Sequence, residues 1–336
     1  AYQYRFKSED FSLYANSKIG SYELNFLSPM TETITPPTPY DAKLMYSRTK
    51  PSITLNMRPR LLTFFGSATG KFKYSAGWMI NVEGYYRDEI YYKIQGSYNG
   101  KASISDIGDM DLINPSEIFN VRSDSVKYYQ TNSVDLEEAY IQKGFNLSKG
   151  WFSRLAAGYL ERAYGGLAAE CLYYPVGSEW AVGFEACGVL KRKYYGIDFT
   201  TDVRKFVGYT PKFFHFIGFQ YFLDLYYHFK PLNVEVIANI GKFLARDAGV
   251  KVTVGKYFEN GFRFSVWYSH TNARDIVNNS VYHDKGIAFM IPFDFFLKKS
   301  NRSFIPYSLS VWLRDTGQRA HTGKRLYQTL SLERSN

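Results

Sequence analysis

The clearest pattern in the sequence is an alternation of apolar and polar residues with a period of two. Between residues 179 and 192, Trp180, Val182 and Phe184 alternate with polar positions that include Glu185 and Lys191. Successive side chains of a β-strand point to opposite faces, so the pattern predicts a strand with one apolar and one polar face. A strand of about a dozen residues is long enough, when tilted, to cross the hydrocarbon core of a bilayer.

Similar segments recur along most of the chain. The predicted strands are 52–65, 73–84, 88–99, 133–145, 151–161, 166–174, 179–192, 213–229, 232–243, 248–257, 261–272, 284–296, 303–314 and 322–333. A short hairpin is also predicted within 11–27. No run approaches the roughly 18 consecutive apolar residues that a membrane helix needs.

The connections between these strands fall into two sets. Tight turns follow alternate strands, whereas the other set includes the long loops 193–212 and 273–283. Bacterial outer-membrane barrels have short periplasmic turns and longer external loops. We therefore predict an all-β fold: a transmembrane antiparallel up-and-down β-barrel of about 16 strands, or 14 without the amino-terminal hairpin, with both termini in the periplasm.

The whole chain, 1–336, is expected to form a single outer-membrane β-barrel domain with two loop or plug segments. Residues 29–51 hold five prolines and many Thr and Ser, and residues 101–124 are polar with several Asp. Both compositions are typical of irregular structure. Residues 1–4 read as mature chain, so we expect either a leader that has been removed or a start within a longer, two-barrel protein.

Composition and net charge indicate which kind of environment and partner the protein has. The 336 residues include 30 Tyr and 27 Phe, and such rings favour strands and membrane interfaces. The formal net charge of +10 suggests an acidic partner, either outer-membrane lipids and lipopolysaccharide or an acidic polysaccharide in a basic lumen. We expect no nucleic-acid binding, because the aromatic and charged residues mostly take opposite faces.

The two cysteines are expected to be free thiols. With an even turn at 175–178, Cys171 faces outward and Cys187 faces inward with Glu185. Cysteines on opposite faces of neighbouring strands cannot direct their Cβ atoms toward each other, which a disulfide requires.

Charged residues cluster in the connections of the long-loop set. On the predicted topology they lie at one external rim: Glu161, Arg162, Arg246, Asp247, Arg274, Asp275, Asp284, Lys285, Arg314, Asp315 and Arg319. Arginine binds carboxylates bidentately, so one hypothesis is a ring that contacts or gates a polymer of acidic sugars. The alternative is that these pairs only hold loops and turns together. Glu170, Glu185, Lys251 and Arg263 are further candidates for polymer contact because they face the predicted lumen.

No catalytic, cofactor or metal site is expected. Glu170 and Glu185 are predicted to face the lumen on neighbouring strands, as an acid/base pair of a glycosidase would. Such residues more often pair with interior cations, here Lys191, Lys251 or Arg263. No GxSxG-type setting, Cys/His cluster of metal-ligand spacing or Gly-rich phosphate loop is present.

Five segments carry a family resemblance. They are NPSEIFNVRSD (114–124), AGYLERAYGGLAAECLYYPVGSEWAVG (157–183), GKFLARDAGVKVTV (241–254), HDKGIAFMIPFDFF (283–296) and RDTGQR (314–319). In their order and spacing they resemble the YjbH/GfcD family of outer-membrane proteins. The resemblance implies an outer-membrane β-barrel, sometimes two in one chain, that works in exopolysaccharide or capsule production or export.

We therefore expect a non-enzymatic, porin-like protein of the bacterial outer membrane, acting in exopolysaccharide or capsule assembly as a conduit or docking platform for the polymer. One alternative is a non-conducting scaffold for periplasmic or lipoprotein export partners, which a lumen filled by 29–51 or 101–124 would favour. Another is an outer-membrane enzyme that modifies the polysaccharide, which a histidine within hydrogen-bond reach of Glu170 and Glu185 would favour.

Overall fold

The fold is almost entirely antiparallel β-sheet. The computed structural model describes residues 2–3, 7–16, 18–19, 24, 33–34, 50–67, 70–87, 89–103, 116–130, 133–258, 260–277, 279–292, 304–310 and 314–335, and every structural statement below concerns these residues. Among them, no helix has the length and apolar character needed to span a membrane.

Thirteen strands follow one another along the largest sheet, and we call them the wall strands. They are β1 (Thr54–Ser67), β2 (Gly70–Tyr86), β3 (Ile90–Ala102), β4 (Val134–Ser148), β5 (Trp151–Tyr159), β6 (Tyr164–Tyr173), β7 (Trp180–Arg192), β8 (Gly218–Phe229), β9 (Val234–Lys242), β10 (Ala248–Tyr257), β11 (Arg263–Thr271), β12 (Lys285–Pro292) and β13 (Phe304–Ser310). Each wall strand pairs with its neighbours in this order, always antiparallel.

The remaining elements are short. They comprise the strands Tyr2–Gln3, Thr33–Ile34, Phe199–Thr200, Asp202–Val207, Thr210–His215, Ile276–Val277 and Ser280–Val281, the helices α1 (Ser8–Ala15), α2 (Lys127–Gln130) and α3 (Leu326–Ser335), and a 3-10 turn at Lys230–Leu232. Asp202–Val207 and Thr210–His215 form a hairpin. Its residues up to 212 were expected to be loop, whereas 213–215 were expected to begin the next strand.

Burial along the wall strands is inverted relative to a water-soluble protein. In β7, Phe184 is 53% exposed, whereas the next residue, Glu185, is fully buried. In β8, Leu223 and Leu225 are exposed, whereas Asp224 between them is buried. Charged residues are rarely buried without partners, and large exposed apolar surfaces mark contact with a membrane or another protein. We call the apolar face of the sheet its outer face and the polar face its inner face.

One side-chain contact joins the two edge strands of the sheet. The Oγ1 atom of Thr63 in β1 lies 2.6 Å from the hydroxyl of Tyr307 in β13, although 244 positions separate them in the sequence. Among the described residues, no backbone ladder joins these edge strands. Because direction alternates along thirteen antiparallel strands, β1 and β13 run the same way.

The two ends of the wall strands differ as the sequence predicts. At one end, which we call the turn end, short connections join β4 to β5, β6 to β7, β8 to β9 and β10 to β11. Gly150 shows why such a turn is tight: its φ is +81°, and an added Cβ would lie 3.2 Å from the backbone of Pro175. The other end, the loop end, carries the connections 160–163, 193–217, 243–247 and 272–284.

Two segments cover the inner face. Residues 116–130 lie at the loop end, where Val121 and Tyr128 pack with wall residues such as Tyr140. Residues 314–335, the carboxyl-terminal segment, cross from one end to the other. Arg314 contacts Asp275 at the loop end, and the Tyr327 ring stacks on Tyr226 near the turn end, with a centroid distance of 3.8 Å.

Several sequence predictions are confirmed. Predicted strands from 133 to 296 correspond in order to β4–β12, and 248–257 matches β10 residue for residue. Cys171 lies opposite the exposed Phe184, and Cys187 lies opposite the buried Ala168. The cysteines therefore take opposite faces, and both are free thiols.

Other predictions are wrong at the two chain ends. Residues 322–333 were expected to form a strand, but α3 begins at Leu326. Tyr327 and Leu330, spaced at nearly one helical turn, pack together against the wall. The predicted amino-terminal hairpin begins instead with α1, and most of its second arm lies outside the described residues. The wall of the described chain thus has thirteen strands in place of the 16 or 14 expected.

The predicted loop or plug segments are only partly described. Most of 29–51 lies outside the described residues, as does 104–115. From residue 116 onward, the second segment does lie against the inner face. The carboxyl-terminal segment, which lies there too, was not predicted to do so.

Candidate functional site

The inner face holds a buried charge cluster at its centre. Glu170 of β6 and Glu185 of β7 are direct cross-strand partners, and Arg154 of β5 lies opposite Glu170. None of these three residues is more than 3% exposed. The strand register therefore places the two carboxylates side by side on the inner face, with the Arg154 guanidinium next to Glu170 on the neighbouring strand.

The carboxyl-terminal segment supplies the cations that complete this cluster. The Nη2 of Arg319 lies 2.8 Å from Oε1 of Glu185 and 3.1 Å from Oδ2 of Asp224 in β8. Arg325 also pairs with Asp224. The Oγ1 of Thr322 donates to Glu185 over 2.7 Å. We call Arg154, Glu170, Glu185, Asp224, Arg319 and Arg325 the central charge cluster.

The central charge cluster is balanced, with three arginines and three carboxylates. Buried carboxylates that lie side by side repel each other and lose hydration, so each needs a cation and hydrogen bonds. Arg154 meets part of this need through its pairs with Glu170 and Glu185. Removing the carboxyl-terminal segment would leave the remaining acidic charge unpaired, so the segment is part of the folded interior.

The amino terminus of α3 is bound to the same cluster. Oε2 of Glu170 accepts a hydrogen bond from the backbone N–H of Leu326, over 3.1 Å. A carboxylate at a helix amino terminus satisfies an otherwise unpaired N–H and interacts favourably with the helix dipole. This contact explains why the segment becomes helical where it does.

At the loop end, Asp315 joins the two covering segments. Its carboxylate accepts hydrogen bonds from the backbone N–H groups of Arg122 and Ser123, over 2.7 and 3.0 Å. The Asn120 amide and the Ser123 hydroxyl donate to it as well. Burial raises the pKa of the Asp315 carboxyl above its usual value, and these hydrogen bonds act in the opposite direction.

Further pairs tie this end together. Arg122 binds Glu161 with two hydrogen bonds of 2.5 and 2.9 Å. Arg314 makes a bidentate pair with Asp275. The backbone N–H of Gly317 donates to Asp247 over 2.8 Å. Burial raises the pKa of the Asp247 carboxyl, while the Gly317 hydrogen bond lowers it.

Comparison with known proteins agrees with the resemblance noted above. A protein-family model described as "Exopolysaccharide biosynthesis protein YbjH" matches residues 1–331. The chain belongs to the YjbH family. A curated relative, "Uncharacterized lipoprotein YjbH" of Escherichia coli (strain K12), is 29% identical over 209 residues, which are 61% of this chain and 28% of the relative. The match thus spans little more than a quarter of that relative.

Many of the predicted rim residues of this YjbH-family chain do come together. Those held in the contacts around the covering segments are Glu161, Asp247, Asp275, Arg314, Asp315 and Arg319. Asp284 lies at the same end, where it accepts from Lys251 over 3.1 Å and from the Trp267 indole over 2.9 Å. Arg162 instead pairs with Asp135 and Glu137.

Other predicted residues do not join this network. Arg246, Arg274 and Lys285 are exposed. Arg246 lies over the ring of Phe119, 4.9 Å from its centroid. Arg263 lies at the turn end, where it pairs with Glu235.

The expected partners of the two inward carboxylates are wrong. Lys191 pairs with Asp124, Lys251 with Asp284, and Arg263 with Glu235. Within the part of the chain that the structure describes, hydrogen bonds and ion pairs to Glu170 and Glu185 come from arginines, Thr322 and a backbone N–H, and none comes from a histidine. No group of three or more His, Cys, Asp or Glu among these residues is arranged to hold a metal ion.

Three members of the central charge cluster in this YjbH-family chain were missed from the sequence: Arg154, Asp224 and Arg325. Arg154 and Asp224 occupy inward positions of strands that were correctly predicted. Because alternate residues of a strand point to the same face, counting along these strands would have identified both residues. Arg325 was assigned to a strand, and no local pattern indicates that it binds Asp224 about a hundred residues away.

Proposed function

We propose that this chain is a transmembrane β-barrel of the bacterial outer membrane, and that it serves exopolysaccharide or capsule assembly as a docking platform rather than as an open conduit. The observation that carries the proposal is the carboxyl-terminal segment, which crosses the inner face and is bound there by Arg319, Arg325 and Thr322. An interior filled in this way argues against an open conduit. It fits the non-conducting scaffold as well, and what distinguishes a docking platform is that it meets the polymer at the ends of the barrel.

The membrane part of the proposal rests on the inverted burial. Phe184 and Leu167 of neighbouring strands are 53% and 67% exposed, whereas the charges of the inner face are buried. Lipid-facing and interior positions alternate in this way along the strands of outer-membrane barrels. The contact of Thr63 with Tyr307 supports closure of the sheet, because it brings the edge strands together.

An envelope location is consistent with the curated relative, which is named as a lipoprotein. By the rule that short turns face the periplasm, the turn end is periplasmic. The end of α3 and residues after α1 lie together at this end, around Ser178 and Lys230. We therefore propose that both termini are periplasmic, where export proteins are accessible as partners.

The proposed role is non-enzymatic. Glu170 and Glu185 are engaged with arginines and with the carboxyl-terminal segment, which argues for a structural use of both carboxylates. The net charge of +10 is not concentrated in the balanced central charge cluster. It is therefore better matched to anionic lipid and lipopolysaccharide headgroups than to an acidic polymer inside the barrel.

An experiment that fixes the carboxyl-terminal segment covalently to the wall distinguishes the docking-platform hypothesis from the conduit hypothesis. The backbone N–H of Leu244 donates to the carbonyl of Gln318 over 2.9 Å, so cysteines at these positions are close enough to be joined by a disulfide on oxidation. The L244C/Q318C protein, with Cys171 and Cys187 replaced by alanine, is produced in cells that lack the native gene. Polymer at the cell surface is measured before and after cross-linking.

A platform predicts the same export with and without the cross-link. Each single-cysteine variant, treated with the same oxidant, controls for modification. Export that stops on cross-linking and returns on reduction would show that the segment must leave the interior, and the conduit alternative would replace our proposal.

A further inference from the structure

The turn end contains an open cavity that the covering segments do not fill. Its volume is about 590 Å³, within the range of about 300–1,000 Å³ that small-molecule sites occupy. It lies between the ends of β6–β10, helix α3 and the residues that follow α1. The cavity lining includes the side chains of Tyr174, Glu179, His228, Lys230, Asn233 and Tyr257.

Aromatic rings form part of the cavity wall and are fixed by packing. Tyr327 stacks on Tyr226 with an interplanar angle of 14°, and Tyr174 packs against Tyr327 with centroids 5.4 Å apart. On another part of the wall, His228 and Tyr257 lie 5.9 Å apart. The cavity is therefore bordered by rigid rings that carry polar groups at their edges.

Polar side chains of the cavity are accessible to a ligand. The Glu179 carboxylate and the Lys230 ammonium are 3.7 Å apart, and their side chains are 37% and 58% exposed. His228 Nε2 lies 3.2 Å from the Asn233 amide oxygen. Glu235, by contrast, is held by Arg263 and by the Tyr257 hydroxyl, so its role is structural. Glu179 and Lys230 therefore offer an acceptor and a donor beside the aromatic rings.

We propose that this turn-end pocket binds a neutral sugar unit of the polysaccharide. Sugars present apolar C–H surfaces that pack on aromatic rings, and their hydroxyls both donate to carboxylates and accept from ammonium and amide groups. The cavity lining carries two lysines, Lys18 and Lys230, and two glutamates, Glu179 and Glu235. This balance favours a neutral ligand over a strongly charged one.

The inference rests on the proposed function and gives it a location. A docking platform whose interior is filled must hold the polymer at one of its ends. The rim charges at the loop end are largely paired with one another around Asp315, Glu161 and Asp275. The turn-end pocket, which is open, is where a sugar chain arriving from the periplasm would first be held.

The test uses the full chain in detergent micelles and oligosaccharides released by partial hydrolysis from the producing strain's own polymer. These are separated into neutral and acidic fractions, and binding is measured by titration calorimetry and saturation-transfer NMR. The E179Q and H228A variants should each weaken binding of the neutral fraction at least tenfold. E89Q is the matched control, because Glu89 is also a turn-end glutamate paired with a lysine, Lys143, but lies outside the pocket.

Loss of binding in E179Q and H228A, with wild-type binding in E89Q, supports the site. The proposal is overturned if the neutral fraction does not bind, if only the acidic fraction binds, or if the variants bind like wild type. Binding of an export protein's peptide in place of sugar would overturn it as well. The cross-linking test at Leu244 and Gln318 does not involve this pocket, so the platform can stand even if the sugar site fails.

Discussion

Neighbouring residues of a wall strand lie on opposite faces of the sheet, and the two faces differ in exposure and polarity. On the outer face of β7, Phe184 is 53% exposed. The next residue, Glu185, lies on the inner face, where it is fully buried and forms ion pairs with three arginines. In the proposed membrane barrel, the outer face requires only apolar character, because lipid offers no specific partner. The inner face requires particular partners, because a buried charge without one is costly.

This difference places buried ion pairs in the interior, next to two apolar clusters. A water-soluble protein of this size buries mainly apolar side chains, whereas here Arg154, Asp224 and Glu185 are all fully buried. Each charge must be matched by a residue from a different part of the chain. The comparison therefore predicts that substitutions on the inner face act by breaking ion pairs. If the proposed membrane barrel is correct, substitutions on the outer face act according to their depth in the bilayer.

The largest effect is expected from R154M. It removes the cation that pairs with both Glu170 and Glu185 while keeping much of the side-chain volume. Breaking a buried pair from one side costs about 3–5 kcal/mol. Urea unfolding of vesicle-reconstituted protein, followed by tryptophan fluorescence, measures the loss.

The control for R154M is R58M, because Arg58 is an exposed arginine on wall strand β1. Its removal should change stability by less than about 1 kcal/mol. Equal losses in the two variants would contradict the view that the central charge cluster holds the interior together.

The next effect tests the outer face. Leu223 lies near the middle of β8, between Phe184 and Ile240 on the neighbouring strands. If lipid covers this face, L223K should destabilise the protein by about 2–4 kcal/mol in vesicles, because a lysine there lies near the bilayer midplane. The same unfolding measurement applies.

L232K is the matched control for L223K. Leu232 is 59% exposed and lies in the turn between β8 and β9, where a lysine costs about 0–1 kcal/mol. A small, equal effect at both positions would mean that water, rather than lipid, covers the outer face.

A smaller effect is expected from D315N. The amide keeps one oxygen in place of the two that accept hydrogen bonds from Asn120, Arg122 and Ser123. Loss of part of this network should cost about 1–3 kcal/mol, measured by unfolding at neutral pH. D198N, at an exposed aspartate of the same end, should be nearly neutral.

The D315N effect should also depend on pH. Burial raises the pKa of Asp315 in the folded state. A group with a raised pKa contributes stability below its unfolded value of about 3.9 and loses it as the pH rises through the folded pKa. The stability difference between wild type and D315N should therefore narrow from about pH 4 upward, and a difference that widens would contradict this assignment.

The smallest effect is expected at the exposed pair of Lys193 and Asp198, 3.4 Å apart with side chains 54% and 73% exposed. A double-mutant cycle with K193A and D198A should give a coupling energy of about 0.2–1 kcal/mol, reduced by salt. A coupling as large as the R154M effect would erase the distinction between exposed and buried pairs.

The wall was largely predictable from sequence because it follows a local rule. Alternation placed β10 at its observed bounds and gave the opposite faces of Cys171 and Cys187. It also placed Glu170 and Glu185 inward, since a strand's parity fixes the direction of each side chain. Turn lengths correctly sorted the connections into two ends.

The contents of the interior were not predictable in the same way. Leu326, Tyr327 and Leu330 fit a strand pattern as readily as a helix pattern, and the choice is made by contacts with Glu170 and Tyr226. The partners of Glu185 depend on which distant segment reaches it, and alternation carries no such information. The sequence analysis therefore selected Lys191, Lys251 or Arg263 on the wall strands in place of Arg319 and Arg325 on the carboxyl-terminal segment.

The position of the carboxyl-terminal segment also orders the events of folding. Within it, Thr322 accepts from Arg154, a residue 168 positions earlier, and Gln220 binds Ala320 across 100 positions. Contacts of such long sequence separation form slowly, because the loops between them must close first. The wall strands therefore pair while their inner charges are still hydrated, and the interior loses its water when the carboxyl-terminal segment docks.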